Sequence, residues 1–114
     1  MPSKDPVVSQ AWHQRHPGYQ RAWQLRTWYH MTLAEFDAKL ARQGGRCAIC
    51  GTNDPGGPGN TFHVDHDHRC CPGSHSCGKC VRGLLCFRCN NALGLFHDDR
   101  KILDSAIYYL QGWG

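Results

Sequence analysis

Two Cys-x2-Cys knuckles, CAIC at 47–50 and CFRC at 86–89, stand 35 residues apart in this chain. Each knuckle presents two thiolates from a tight turn, and two knuckles complete a closed tetrahedral set of four. A closed set has no open position for substrate, so a zinc ion held by Cys47, Cys50, Cys86 and Cys89 is structural. It would tie together both ends of the segment between the knuckles and supply folding energy. A chain of 114 residues, 40% of them hydrophobic, has room for one domain with a small apolar core and needs such help.

The chain carries eight cysteines, and disulfides and metal ligation imply opposite redox compartments. The opening MPSKDPVVSQ has no apolar run fit for a secretory leader, and no stretch approaches the length of a membrane span. The expectation is a cytoplasmic protein with reduced thiols, which favours metal. Redox dithiols would call for a βαβ pattern that is missing.

The segment RCCPGSHSCGKC lies between the knuckles and offers a second zinc set, Cys70, Cys71, Cys77 and Cys80, with CGKC as a third knuckle. Adjacent residues tend to point apart, so Cys70 and Cys71 share an ion only if the backbone turns sharply, as Pro72-Gly73 would allow. If they do not converge, His75 or His68 is the substitute ligand.

Two tetrathiolate zinc sites, each of net charge −2, would cancel the formal net charge of +4. Affinity for a polyanion must then come from local patches. One such patch runs from His68 to His97, with Arg69, Lys79, Arg82 and Arg88 and no acidic residue.

The spacing predicts a frayed arm over residues 1–11 and a short amphipathic helix in YQRAWQLRTWYH, with Ala22, Leu25, Trp28 and Tyr29 near one face. Those aromatics either pack on the core or stack on bases. Residues 1–31 read as a basic, aromatic arm and 32–114 as the main domain. Thr32 and Glu35 form a capping-box pair opening a helix that Gly44 and Gly45 close. TFHVDH and VRGLLC read as the strands of a hairpin, FRCNNALG as a short helix stopped by Gly94. Asp98 is placed to cap a last helix whose Ile102, Leu103, Ala106, Ile107 and Leu110 form an apolar stripe.

The run HVDHDH, 63–68, is open to three readings: a metal cage, a catalytic strand or a polar edge. With zinc held by thiolates, Asp65 and His66 are released from structural duty. Asp is a hard oxygen ligand suited to Mg²⁺ or Mn²⁺, and neutral imidazole is the general base best matched to pH 7. In a regular strand the two side chains face opposite sides, so the chain must bend or bulge at Asp65-His66 for both to address one phosphate. His63 reads as a hydrogen-bonded support, and Asp67 either orients a histidine, pairs with Arg69 or is simply solvated. His97 reads as a surface loop residue.

CAICG, then HVDHDH, then VRGLLCFRCNNALG, in that order, resembles the recombination endonuclease VII group of HNH, or ββα-metal (His-Me) finger, nucleases over roughly residues 30–110. The resemblance implies a small α+β fold: a zinc-stabilised ββα-metal finger with flanking N- and C-terminal helices. It implies a metal-dependent DNA endonuclease of phage or bacterial type. In that reading His66 is the general base, Asp65 and Asn90 hold one Mg²⁺ or Mn²⁺, and His68 sits near the scissile phosphate. Cys47, Cys50, Cys86 and Cys89 match the family's structural zinc site, and cleavage leaves a 3′-hydroxyl and a 5′-phosphate. Arg82 and Arg88 flank the site and either hold the DNA backbone or are solvated. Asn90 has one other reading, a helix-cap amide. The chain departs from the family's best-known member in the cysteines of CCPGSHSCGKC, and nothing in it corresponds to that enzyme's dimerising C-terminal region. A monomer would nick one strand, whereas a symmetric homodimer could cut both or resolve a junction, so the activity is either nicking or structure-selective. The competing function is a non-catalytic zinc module that binds nucleic acid or protein; a redox or metal-storage protein is a third.

Overall fold

A computed structural model describes residues 19–113. The arm expected at residues 1–11 lies outside the described residues. The described elements are α1 (Tyr19–Tyr29), α2 (Leu33–Arg42), β1 (His63–His66), β2 (Val81–Leu85), α3 (Phe87–Leu95) and α4 (Arg100–Gln111), in that order. The fold is small α+β, with β1 and β2 forming a two-stranded antiparallel hairpin. The residues gather into two compact units, one of 19–42 with 66–82 and one of 43–65 with 83–113. Each holds one of the two cysteine sets, so they are called the insert unit and the knuckle unit.

In the insert unit, α1 buries Leu25 completely and α2 buries Phe36. The Arg21 guanidinium lies 4.9 Å over the Phe36 ring, so a cation completes this small contact instead of a second aliphatic side chain. α1 ends in an αL cap: His30 N–H reaches back to Arg26 O at 3.2 Å, and Met31 N–H reaches Leu25 O at 3.1 Å. The left-handed position, usually glycine, is His30 at φ 50°. The capping box then forms as expected. Thr32 N–H donates to Glu35 Oε1 at 2.9 Å, and Glu35 N–H to Thr32 Oγ1 at 3.0 Å.

In the knuckle unit, Cys47, Phe62, Val64, Leu84, Leu85 and Cys86 are buried. The Gln43 side chain behaves like a short strand: its Oε1 accepts from Leu84 N–H at 2.9 Å while its Nε2 donates to Leu84 O at 3.0 Å and Arg46 O at 2.8 Å. One amide thus pairs both backbone groups of a fully buried residue.

Two expected helix boundaries move. Gly94 does not stop α3, which runs on to Leu95 and closes at Phe96, whose N–H reaches Ala92 O at 3.1 Å while His97 N–H reaches Gly94 O at 3.0 Å. His97 and Asp98 then adopt the left-handed conformation, at φ 56° and 54°. Asp98 is therefore unable to take the extended geometry of an N-cap, and Asp99 caps α4 in its place, accepting from Lys101 N–H at 2.8 Å and Ile102 N–H at 3.4 Å. The apolar stripe of α4 forms but stays largely outside the core: Leu103 and Ala106 are half-buried, while Ile102, Ile107 and Leu110 are exposed.

Candidate functional site

The first knuckle closes through Gly51 N–H to Cys47 O at 3.1 Å and Cys47 N–H to Thr52 O at 2.9 Å, with Gly51 at φ 75°. The second opens α3, where Cys86 is the N-cap and its sulfur accepts from Cys89 N–H at 3.4 Å. The four sulfurs of Cys47, Cys50, Cys86 and Cys89 lie within 4.8 Å of one another, with Cys50 and Cys86 at 3.7 Å. Zn–S bonds of about 2.3 Å in a tetrahedron put sulfurs about 3.8 Å apart, against about 2.0 Å in a disulfide. The spacing is that of sulfurs around a shared ion, and all eight cysteines are free.

Electrostatics points the same way. Burial raises the Cys47 thiol, but hydrogen bonds from the backbone of Cys86, Cys50 and Ile49 outweigh it and bring the pKa down to about 6. Burial, then hydrogen bonds to Cys86, Cys50 and Cys47, pushes Cys89 up to about 12. Sulfurs this close cannot all be thiolates without a cation among them: one ionises and another keeps its proton. A dication resolves the conflict.

The insert set behaves alike. Cys70, Cys71, Cys77 and Cys80 bring their sulfurs within 4.8 Å of one another, with Cys70 to Cys77 at 3.8 Å and the adjacent Cys70 and Cys71 at 4.0 Å. All four cysteines converge, so neither His75 nor His68 is needed as a substitute. The convergence comes from a turn centred on Asp67, whose carbonyl accepts from both Cys70 N–H (3.0 Å) and Cys71 N–H (3.2 Å). Asp67 itself pairs with Arg69, at 3.3 Å, and accepts from its N–H at 2.9 Å. Hydrogen bonds to Cys80, Cys77 and Cys71 push Cys70 up to about 12, while the Lys79 backbone N–H leads a set that lowers Cys77 to about 7. The two tetra-cysteine clusters suggest two structural zinc sites.

The strand residues follow. Asp65 and His66 are only 7% and 3% exposed, so neither is a solvated strand position. Val64, Asp65 and His66 are buried in succession, which breaks the alternation of a half-exposed strand. β1 ends at His66 and the turn begins at Asp67, one residue later than a bend between Asp65 and His66 would fall. His66 Nε2 lies 3.0 Å from Cys71 O. A carbonyl only accepts, so Nε2 carries the hydrogen and the lone pair is at Nδ1. The His68 ring is 4.4 Å from that of His66, and the Tyr29 ring 6.4 Å. His63 packs its ring 5.9 Å from that of Phe87.

Asn90 lies in the first turns of α3, half-buried, with its N–H bonded to Cys86 O at 3.0 Å. The cap of that helix is Cys86, so the Asn90 amide is not needed for capping. His68, Arg82 and Arg88 are exposed, and His97 is an exposed turn residue. Ser76 was not singled out by its sequence. It is 4% exposed, its Oγ accepts from Gly78 N–H at 2.9 Å and lies 3.2 Å from Cys80 Sγ, and its N–H donates to Trp28 O at 2.7 Å. Only its place one residue before Cys77 could have marked it. Among the described residues no helix is long and apolar enough to cross a membrane.

Residues 22–112 match the family model of recombination endonuclease VII. Gene 59 protein of Mycobacterium phage D29 is 39% identical over 84 residues, 73% of this chain and 45% of that protein. Gene 59 protein of Mycobacterium phage L5 is 37% identical over 83 residues, 72% of this chain and 44% of that protein. The match thus spans less than half the length of these phage relatives. No solved structure matches the chain. The family model covers most of the sequence, both knuckles and the whole of HVDHDH, and the chain belongs to the recombination endonuclease VII family.

Proposed function

We propose that the chain is a metal-dependent DNA endonuclease that hydrolyses phosphodiester bonds through a ββα-metal finger of β1, β2 and α3. The observation that carries this reading is the buried Asp65-His66 pair. Eight cysteines satisfy both compact metal sets, so this aspartate and histidine are left for other chemistry. Family membership supports a nuclease and DNA as its substrate.

Asp65 and Asn90 would hold one Mg²⁺ or Mn²⁺, which when bound supplies positive charge for the developing phosphorane-like state and the departing oxygen. His66 accepts a proton from water at Nδ1. The water oxygen forms a bond to phosphorus as the bond from phosphorus to the 3′-oxygen breaks, and that oxygen leaves with the electron pair and takes a proton from solvent. The products are a 3′-hydroxyl and a 5′-phosphate. His68, Arg82 and Arg88 hold phosphates, contacts that position the duplex.

The test is relaxation of supercoiled plasmid in Mg²⁺ or Mn²⁺. His66→Ala is expected to lower the rate by about 10²- to 10⁴-fold, the usual contribution of a general base, with zinc content unchanged. Wild-type cleavage by His66→Ala would sink the assignment.

A further inference from the structure

The insert cluster stands beside the proposed base, not apart from it. Between Asp67 and Cys80 the chain reads DHRCCPGSHSCGKC, with no large aliphatic or aromatic hydrophobe, so no apolar core orders it. Ser76 N–H on Trp28 O at 2.7 Å and the His75 ring 5.6 Å from that of Trp28 tie its far end to α1, and a short set of bonds around the four sulfurs orders the rest. Asp67 N–H donates to Cys80 O at 2.9 Å, the Asp67 carbonyl gathers the Cys70 and Cys71 N–H groups, and Cys71 Sγ accepts from Cys77 N–H at 3.2 Å. Cys71 is therefore held twice, by its N–H in the turn and by its sulfur in the cluster. Its remaining backbone group, the carbonyl, is the one that meets His66 Nε2 at 3.0 Å.

The consequence is chemical. The neighbouring rings of Tyr29 and His68 limit where the His66 ring lies, but ring contacts do not choose which nitrogen carries the hydrogen. A carbonyl fixed at Nε2 does. A histidine base in the wrong tautomer is badly impaired even when its position is kept.

We propose that the insert tetra-cysteine cluster is a positioning device for His66, fixing through the Cys71 carbonyl the Nε2–H tautomer that leaves Nδ1 as base. The inference rests on the nuclease reading of His66. It explains why the insert cysteines follow directly on the HVDHDH strand: the metal orders the loop, and the loop orders the base. Cys71 is a positioning residue, acting by its backbone oxygen.

The experiment uses the full chain, zinc-loaded and ¹⁵N-histidine labelled. Long-range ¹H–¹⁵N correlation reads the His66 tautomer in the absence of DNA, with His66→Ala supplying the assignment. The expected wild-type state is Nε2–H. Cys77→Ser should lower zinc from two ions to one, mix the two tautomers, and slow single-turnover plasmid cleavage by about 10- to 100-fold, the scale seen when a histidine loses its orienting partner. DNA affinity should hold, so the loss falls on the chemical step and not on binding. Cys77→His, which keeps a fourth ligand, should restore tautomer and rate together. Ser76→Ala retains all four thiolates and stands in should Cys77→Ser fail to fold, with partial loss of both signals expected. An Nδ1–H tautomer in the wild-type protein overturns the proposal, as does an unchanged tautomer once the second zinc is gone. Cleavage that survives His66→Ala defeats the nuclease reading instead, and the spectrum tells the two failures apart.

Discussion

The two tetra-cysteine clusters have the same donor set and nearly the same sulfur spacing, yet they sit in different surroundings. The knuckle cluster buries Cys47 and Cys86 beside Leu84 and Leu85, in a unit with Phe62 and Val64 also in its core. In the insert cluster Cys70 and Cys77 are exposed, Cys71 and Cys80 only half-buried, and the buried apolar side chains of its unit are Leu25 and Phe36. A metal in the first reinforces a core; a metal in the second substitutes for one. The difference separates two uses of one ligand set: fastening the hairpin to a helix, and ordering a loop that touches a working side chain.

The largest effect should come from the knuckle cluster. Structural zinc binding is worth on the order of 10 kcal/mol, comparable with the whole stability of a small domain. Cys86→Ser removes a ligand, the N-cap sulfur of α3 and a buried core residue at once. No folded knuckle unit is expected, read as loss of amide protection across Phe62–Val64 and Leu84–Leu85. Cys77→Ser should leave that protection in place and lower it only within the insert loop, residues 70–80. Chelator titration followed by native mass spectrometry sharpens the contrast: the insert zinc, with two exposed ligands, should leave first. If the knuckle zinc leaves first, burial does not govern retention and the comparison breaks.

How far this contrast was legible in the sequence depends on the reach of each signal. The knuckles were legible because C-x2-C is a local geometry, and the Thr32–Glu35 box because its partners are three residues apart. The Asp65-His66 pair stood out through its place between the knuckles and Asn90 through its place directly after the second, a pattern along the chain. The convergence of Cys70 and Cys71 was open because it turns on one carbonyl, that of Asp67, accepting two N–H groups. Gln43 was silent because its partner, Leu84, is 41 residues away. The shift of the last cap from Asp98 to Asp99 follows from left-handed backbone at His97 and Asp98, which no glycine announced. The Cys71 carbonyl could not be read at all: a backbone oxygen has no letter in a sequence.

Two glycines, one in each unit, allow a matched perturbation of intermediate size. A Cβ on Gly57, at φ 70°, would lie 2.4 Å from Phe87 Cγ and 2.8 Å from its Cβ. A Cβ on Gly78, at φ 89°, would lie 3.0 Å from His30 Cβ and 3.3 Å from Tyr29 O. Both alanine variants pay for left-handed backbone and overpacking, about 1–3 kcal/mol each. Gly57→Ala should cost more in denaturant unfolding, since its clash is deeper and Phe87 is also held by its N–H to Pro55 O at 2.8 Å. Gly78→Ala sits beside Cys77, so it alone should speed zinc loss from the insert cluster. Equal zinc loss in both would erase the distinction between the two units.

The smallest effect belongs to the capping box, whose bonds involve none of the cluster sulfurs. Thr32→Ala deletes the hydroxyl that accepts from Glu35 N–H, for an expected cost of about 1 kcal/mol. The box also leaves a signature in pH. The Thr32 backbone N–H, followed by hydrogen bonding to its side chain, holds the Glu35 carboxyl below its ordinary value of 4.5. A depressed carboxyl stabilises the folded chain above the ordinary value, and that contribution is lost as pH falls through the folded one. Acid also strips zinc from thiolates, so a bulk unfolding curve would confound the two. The carboxyl ¹³C shift of Glu35 does not: it should titrate below the ordinary range in the wild-type protein and move back up in Thr32→Ala, with both zincs still bound at neutral pH. A Glu35 midpoint unchanged by Thr32→Ala would leave the backbone N–H as its whole cause, and the hydroxyl as a helix cap alone.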